Sequence, residues 1–252
     1  MAENEVLSDA LRYRSICELV RSLPRERSGI GTLSEKSVHL SLKYFIDDDT
    51  SHHEIPVCGF VADILNDSGI HEIQTSGFAP MRRKLEAYLS SYPVEIVYPV
   101  VERLRVRMVD PESGEVVREF MSPRHHRPAE IFCELLYLGD SLTDERLSFT
   151  LVSLECEETR LCNAGSTGRR RRITRVDTLP CALTSVRHYT DAAGMADLLP
   201  YSHGDTFTAD ELRRYLRAPG RSGWAALKVL EELSIIRRAG KDGRKIVYEF
   251  CK

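Results

Sequence analysis

Apolar residues along this chain keep two rhythms, one helical and one alternating, and the changes of rhythm mark its elements. A helix is expected from about Val6 to Leu23, followed by a polar connector, PRERSGIG. GTLSEKSVHLSLKYFI predicts a second helix: Thr32 and Glu35 fit an S/T-x-x-E capping box, and Val38, Leu42, Phe45 and Ile46 form an apolar stripe. After the polar loop DDDTSHH, the segment HEIPVCGFVADIL is strand-like, with Gly59 placed to bend it into two strands. NDSG signals a turn and GIHEIQT a further strand. APMRRKLEAYLSSYP has helical spacing, Leu85 and Leu89 at i, i+4, and Pro93 ends it. VEIVYPV is a near-continuous apolar run, as a strand covered on both faces requires.

Beyond it, RLRVRMVD and EVVREFM flank a PESG turn and read as a hairpin. PAEIFCELLYL reads as a helix with Pro128 in its first turn, LSFTLVSLE as a strand, and NAGSTGRRRRITR as an exposed loop. From about Thr190 the pattern shifts to short helices: DAAGMADLLP, then FTADELRRYLR with Thr208 and Glu211 as a capping box, then PGRSGWAALKVLEELSII with Leu227, Leu230 and Leu233 near one face. RRAGKDGRKIVYEF alternates on either side of a KDG turn and predicts a closing hairpin. No internal repeat is present.

Composition narrows the class. A chain of 252 residues holds one large domain or a medium and a small one, and 42% apolar with 29% charged residues is ordinary for a folded protein. No apolar run approaches a membrane span, and the acidic N-terminus lacks the apolar core of a secretory signal. Seven cysteines form no C-x-x-C pair, and Cys156 and Cys162 lack a second pair to complete a zinc site. Reduced thiols and a cytoplasmic location are expected. The adjacent pairs His52-His53 and His125-His126 read as loop residues rather than ligands. No glycine-rich phosphate loop, Ser/His/Asp order or haem motif supports nucleotide hydrolysis or acyl transfer. The net charge of −3 averages an uneven chain. Phe207 to Lys252 carries 11 Lys/Arg against 6 Asp/Glu, and five arginines without an acid lie between Arg169 and Arg175. Positive charge gathered towards one end suits nucleic-acid binding.

The chemistry concentrates in GFVADILNDSGIHEIQTS. If the turn around Asp67 and Ser68 holds two or four residues, Asp63 falls directly opposite Glu72, with Cβ atoms about 5 Å apart. Facing carboxylates repel, and a hard divalent cation, Mg²⁺ or Mn²⁺, is the usual reason to keep them. Gln74 repeats on the face of Glu72, where its amide can orient a water or contact phosphate. A three-residue turn with a bulge at Gly69 would send the two acids to opposite faces. Asp63 lies inside an apolar strand, where a surface aspartate is disfavoured.

The order helix, strands, helix, strand from Gly31 to Val100, with Asp63 on the second strand and Glu72-Ile73-Gln74 on the third, resembles the PD-(D/E)XK nuclease superfamily. Gln74 stands where that family has Lys. The resemblance implies a restriction-endonuclease-like mixed α/β sheet core flanked by helices, metal-assisted phosphodiester hydrolysis at Asp63 and Glu72, and a contribution from Glu35 on the first helix, although capping alone accounts for Glu35. It also implies that Arg82 and Lys84 contact phosphate or replace the missing lysine. Many such nucleases act as dimers, so a homodimer is compatible with it, though no seam is legible.

The C-terminal helices and hairpin resemble a winged-helix DNA-binding domain. That arrangement puts Arg221, Ser222 and Lys228 on the outer side of the recognition helix and Lys241, Arg244 and Lys245 along the wing. The run Arg169, Arg170, Arg171 and Arg172 adds a basic stretch suited to tracking DNA, or an inert loop. Trp224 reads as core packing, and Arg237 and Arg238 as solvated strand charges. The expected organisation is a helical extension (1–30), a nuclease domain (31–188) and a winged helix (189–252). The expected function is a Mg²⁺-dependent DNA endonuclease. The rivals are a non-enzymatic DNA-binding regulator on a degenerate nuclease fold and a protein-interaction module.

Overall fold

The computed structural model describes residues 2–23, 37–75, 77–163 and 172–252. In chain order they form α1 (Ala2–Ser22), α2 (Ser37–Ile46), β1 (His53–Val57), β2 (Phe60–Asn66), β3 (Gly69–Ile73), α3 (Arg82–Tyr88), β4 (Val94–Val109), β5 (Val116–Met121) and α4 (Phe132–Leu135). Then follow β6 (Leu147–Asn163), β7 (Arg172–Tyr189), β8 (Thr206–Thr208), α5 (Ala209–Tyr215), α6 (Arg221–Glu232), β9 (Ile236–Asp242) and β10 (Lys245–Phe250). The chain is a mixed α/β protein with a large mixed sheet, ordered β1-β2-β3-β4-β6-β7 with β5 paired to β4, and a small sheet ordered β8-β10-β9. Among the described residues no helix is long and apolar enough to cross a membrane. Two compact units interleave along the sequence: Met1–Ser51, Pro99–His126 and Val152–Val186 form the first, and His52–Tyr98, Arg127–Leu151 and Arg187–Lys252 the second.

The second unit starts with two tight reversals. Cys58 and Gly59, at φ +50° and +80°, turn β1 into β2. Left-handed residues at both central positions match the twist of the flanking strands. Asp67 and Ser68 then turn β2 into β3 in the register Ile64↔His71, Leu65↔Ile70 and Asn66↔Gly69. This is the two-residue loop, not the bulged turn. α3 carries the chain back so that β4 runs parallel to β3, from Ile70↔Val94 to Ile73↔Val97.

One apolar cluster joins this sheet to the C-terminal helices. It holds Ile70, Val94 and Ile96 from the strands, Leu85 and Tyr88 from α3, Phe132 and Leu135 from α4, and Leu227 and Leu230 from α6. Each such side chain contributes about 1.5–3 kcal/mol by leaving water. The single helix expected for PAEIFCELLYL is broken into a 3₁₀ turn at Pro128–Ile131, the short α4, and 3₁₀ turns over Leu136–Thr143. Just past that segment Gly139, at φ +59°, separates the 3₁₀ turns, and a Cβ there would lie 2.9 Å from the Arg82 guanidinium carbon. DAAGMADLLP contributes only a 3₁₀ helix, Ala193–Leu198. Thr208 caps α5 reciprocally with Glu211, as its spacing predicts. The final hairpin turns at Gly243 and Arg244, between Asp242 and Lys245, one residue later than the KDG reading.

In the first unit, Tyr13, Cys17 and Val20 of α1 and Val38, Leu42 and Phe45 of α2 are buried. The Tyr13 and Phe45 rings meet edge to face at 5.4 Å, and the Tyr13 hydroxyl lies 2.8 Å from Ser41 Oγ. Two readings of the strands are corrected. VEIVYPV and RLRVRMVD are one strand, β4, whose pattern changes from near-continuous burial to partial exposure partway along, without a turn. Ile173, Thr174 and Arg175, read as loop, lie in β7, a long strand that the sequence concealed. It contains Pro180, which an edge strand tolerates because its missing N–H need not pair, and β7 ends the pairing order.

Candidate functional site

The β2–β3 ladder stops at Ile64↔His71, and its register carries Asp63 on to a position opposite Glu72. Here carboxylates replace the ladder's carbonyl acceptors. The Asp63 backbone N–H donates to Glu72 Oε1 at 3.3 Å, and the Ile73 N–H donates to Asp63 Oδ2 at 2.8 Å. Both acids are thereby fixed on one side of the sheet where the strands part. Lys84, from α3, donates from Nζ to Glu72 Oε2 at 2.7 Å, with side-chain exposures of 21% and 5%. Burial, and then the charge of Asp63, push the Glu72 carboxyl up to about 7 against the pull of Lys84. The Lys84 ammonium also lies 5.7 Å from the centre of the Tyr88 ring. The Tyr88 hydroxyl is buried without a hydrogen-bond partner among the described residues. Burial raises its pKa, and the charges of Glu72 and Asp63 raise it further.

The remaining expected members of the site divide. Gln74 Nε2 donates to the Gly77 carbonyl at 2.6 Å, so its amide nitrogen serves the local turn. Arg82 pairs with Glu86 at 3.1 Å and lies against Gly139, which leaves Lys84 as the α3 cation that reaches an acid of this pair. Glu35, Arg169, Arg170, Arg171 and the side chain of Arg172 lie outside the described residues. Arg175, counted with that basic run, pairs with the buried Glu158 at 2.5 Å.

Alternation puts the neighbours of Glu72 on the other face of the sheet, where a second polar group spans four strands. His71 on β3 sits 2.7 Å from Glu95 Oε2 on β4, its Cα partner in the ladder. Thr150 on β6 donates its hydroxyl to Glu95 Oε1, and His188 Nδ1 on β7 lies 2.7 Å from the Thr150 oxygen. Since the Thr150 proton is given to Glu95, His188 Nδ1 is the donor to Thr150. Burial alone would raise the Glu95 carboxyl, but the His188 ring 3.7 Å away and the hydrogen bonds to His71 and Thr150 hold it far below its ordinary value. Sequence reasoning missed this group, although an acid inside the apolar run VEIVYPV was its signal.

In the C-terminal part of the second unit, Arg221, Ser222 and Lys228 are exposed on α6, and Lys241, Arg244 and Lys245 are exposed on the final hairpin. Some basic groups are already matched: Arg237 with Glu249 at 2.7 Å, Arg238 with Glu231 at 2.8 Å, and Lys245 with Asp210 at 3.9 Å. An open cavity of about 710 Å³ is lined by Arg213, Arg214, Arg217 and Lys245 together with Asp210, Glu211 and Asp242. The α5 arginines were not singled out from the sequence. Trp224, expected in the core, is 51% exposed.

A family model described as "Domain of unknown function (DUF8091)" matches residues 36–190. The chain belongs to this family. The DUF8091 region holds Asp63, Glu72, Lys84 and the whole Glu95 group, and ends before α5 and α6. An "Uncharacterized protein" of Treponema pallidum (strain Nichols) is 27% identical over 220 residues, covering 87% of this chain and 86% of that protein. No solved structure matches.

Proposed function

We propose that this chain is a metal-dependent DNA endonuclease whose reacting groups lie at Asp63, Glu72 and Lys84. One observation carries the reading: two carboxylates from adjacent strands face each other beside a lysine ammonium, at the edge of a β-β-β-α-β unit whose last strand is parallel to the third. That element order, preceded by α2, supports a restriction-endonuclease-like core. Lys84 takes the charge that Gln74 cannot supply, reaching the site from α3 rather than from β3.

The donor set fits a hard divalent cation. Two carboxylates with several waters are a common Mg²⁺ set. Among the described residues no group of three or more His, Cys, Asp or Glu is placed to hold a metal, so Asp63 and Glu72 would be the protein's contribution. When bound, Mg²⁺ or Mn²⁺ supplies Lewis-acid polarisation of a phosphodiester. The chain's own residues do the rest. Backbone N–H groups hold the carboxylates in place, and Lys84 offers positive charge where a phosphate gains negative charge in the transition state. The exposed cations Arg221, Lys228, Lys241 and Arg244 supply salt-sensitive affinity for the DNA backbone, in the manner of a winged helix.

A second reading, a DNA-binding regulator without chemistry, draws on the same hydrogen bonds: Gln74 is tied to Gly77 and Lys84 occupies one oxygen of Glu72. Plasmid nicking in Mg²⁺ separates them. Wild type is expected to nick, and Asp63→Asn and Glu72→Gln to lose at least about a hundredfold in rate while DNA binding persists. Equal rates in all three proteins would remove the assigned site; DNA binding without nicking by wild type would leave the regulator.

A further inference from the structure

We propose that Trp224 is a stacking platform for an unpaired base, so that the nucleic acid held along α6 presents single-stranded character. This rests on the reading that the C-terminal elements bind nucleic acid, and it names which form they prefer.

α6 buries Ala225, Ala226, Leu227, Val229 and Leu230, yet its largest side chain points outward. Arg221, Trp224 and Lys228 follow one another at spacings of three and four, so they line a single exposed ridge. The indole is braced from one side. The Arg213 guanidinium carbon lies 5.3 Å from the ring centre, and Asp210 fixes that guanidinium at 2.5 Å. Gly223 makes the arrangement possible, because a Cβ there would fall 2.5 Å from Arg213 Cγ and 2.3 Å from the Ala218 carbonyl. A glycine inside a helix is unfavourable relative to alanine; here its bare backbone gives Arg213 the room to lie across α6.

The chemistry of this ridge suits a base face. Edges of paired bases are read by side chains with several directed donors and acceptors, such as Arg, Asn or Gln. An indole has one N–H and a broad apolar ring, which binds by stacking, and stacking needs a base out of its duplex. Arg221 and Lys228 flank the ring with the positive charge that adjoining phosphates require. The nearby acids are largely engaged: Asp210 with Arg213, and Glu231 with Arg238, while Glu232 lies exposed at the far end of the helix. An acidic or neutral protein surface would not use this combination as fully, and it becomes the alternative outcome of the test.

Trp224 is the sole tryptophan, so tryptophan emission, excited selectively over the tyrosines, reports this position alone. Full-length protein in EDTA, to suspend cleavage, is titrated with oligothymidine and with a blunt duplex of equal length. The single strand is expected to quench emission and to bind at least about tenfold more tightly than the duplex. By anisotropy of a labelled strand, Trp224→Leu loses about tenfold in single-strand affinity, Trp224→Phe keeps most of it, and duplex binding changes in neither. Equal affinity for both forms with unchanged emission overturns the stacking role and leaves nucleic-acid binding standing. No binding of either form overturns both and turns the ridge into a surface for protein.

Discussion

Glu72 and Glu95 occupy adjacent strands of one sheet, yet their carboxyls are driven in opposite directions. Glu72 has one ammonium beside it and a second carboxylate opposite, so burial dominates and its carboxyl is raised to about 7. Glu95 has hydrogen bonds to His71 and Thr150 and the His188 ring close by, which together outweigh its burial. Its folded carboxyl titrates below the ordinary 4.5, so its stabilisation is complete above that value and is lost as acid protonates the folded form. Glu95→Gln should therefore lower stability by about 2 kcal/mol near pH 7, and the difference should shrink towards about pH 3. Urea melts at the two pH values check this. A loss that persists undiminished in acid would mean that Glu95 acts through packing rather than charge.

At the scale of elements, the β2–β3 hairpin sets whether Asp63 and Glu72 meet, and its register depends on Gly69. That residue is at φ +126°, and an added Cβ would lie 2.5 Å from the Pro93 carbonyl, which accepts the Ile70 N–H at 2.9 Å. Gly69→Ala should destabilise by on the order of 2 kcal/mol or more, because the backbone must shift where β3 meets β4. Thermal melting tests it, and an unchanged midpoint would refute the close approach. The Asn66-Asp67-Ser68-Gly69 turn was legible because those residues have strong local preferences. The strand β7 was not, since Pro180 interrupts its alternation and its pairing is supplied by β6, outside the segment itself. Likewise PAEIFCELLYL has helical spacing, yet it divides into 3₁₀ and α turns, which its own periodicity does not signal.

For the molecule as a whole, α6 packs on α4 and shares one apolar cluster with β3, β4 and α3. Truncation after Thr190 would uncover Phe132 and Leu135, each worth a few kcal/mol of burial. The shortened chain should lose the cooperative melt of the second unit and aggregate, whereas a separable C-terminal module would leave that melt intact. Calorimetry of the two proteins decides between these outcomes. The nucleic-acid experiments above accordingly use the full chain.

Local preference by itself determined the two tight turns, the Thr208 cap, the apolar faces of α3 and α6, and the opposition of Asp63 and Glu72 once the two-residue loop is granted. These follow from backbone sterics and side-chain periodicity within a few residues, which any stretch of sequence carries with it. Tertiary structure alone decided that Lys84 rather than Gln74 reaches Glu72, that His71, Glu95, Thr150 and His188 join across four strands, and that Trp224 faces outward under Arg213. Each of those contacts joins residues set on different elements, and only the packing of those elements brings such side chains within reach.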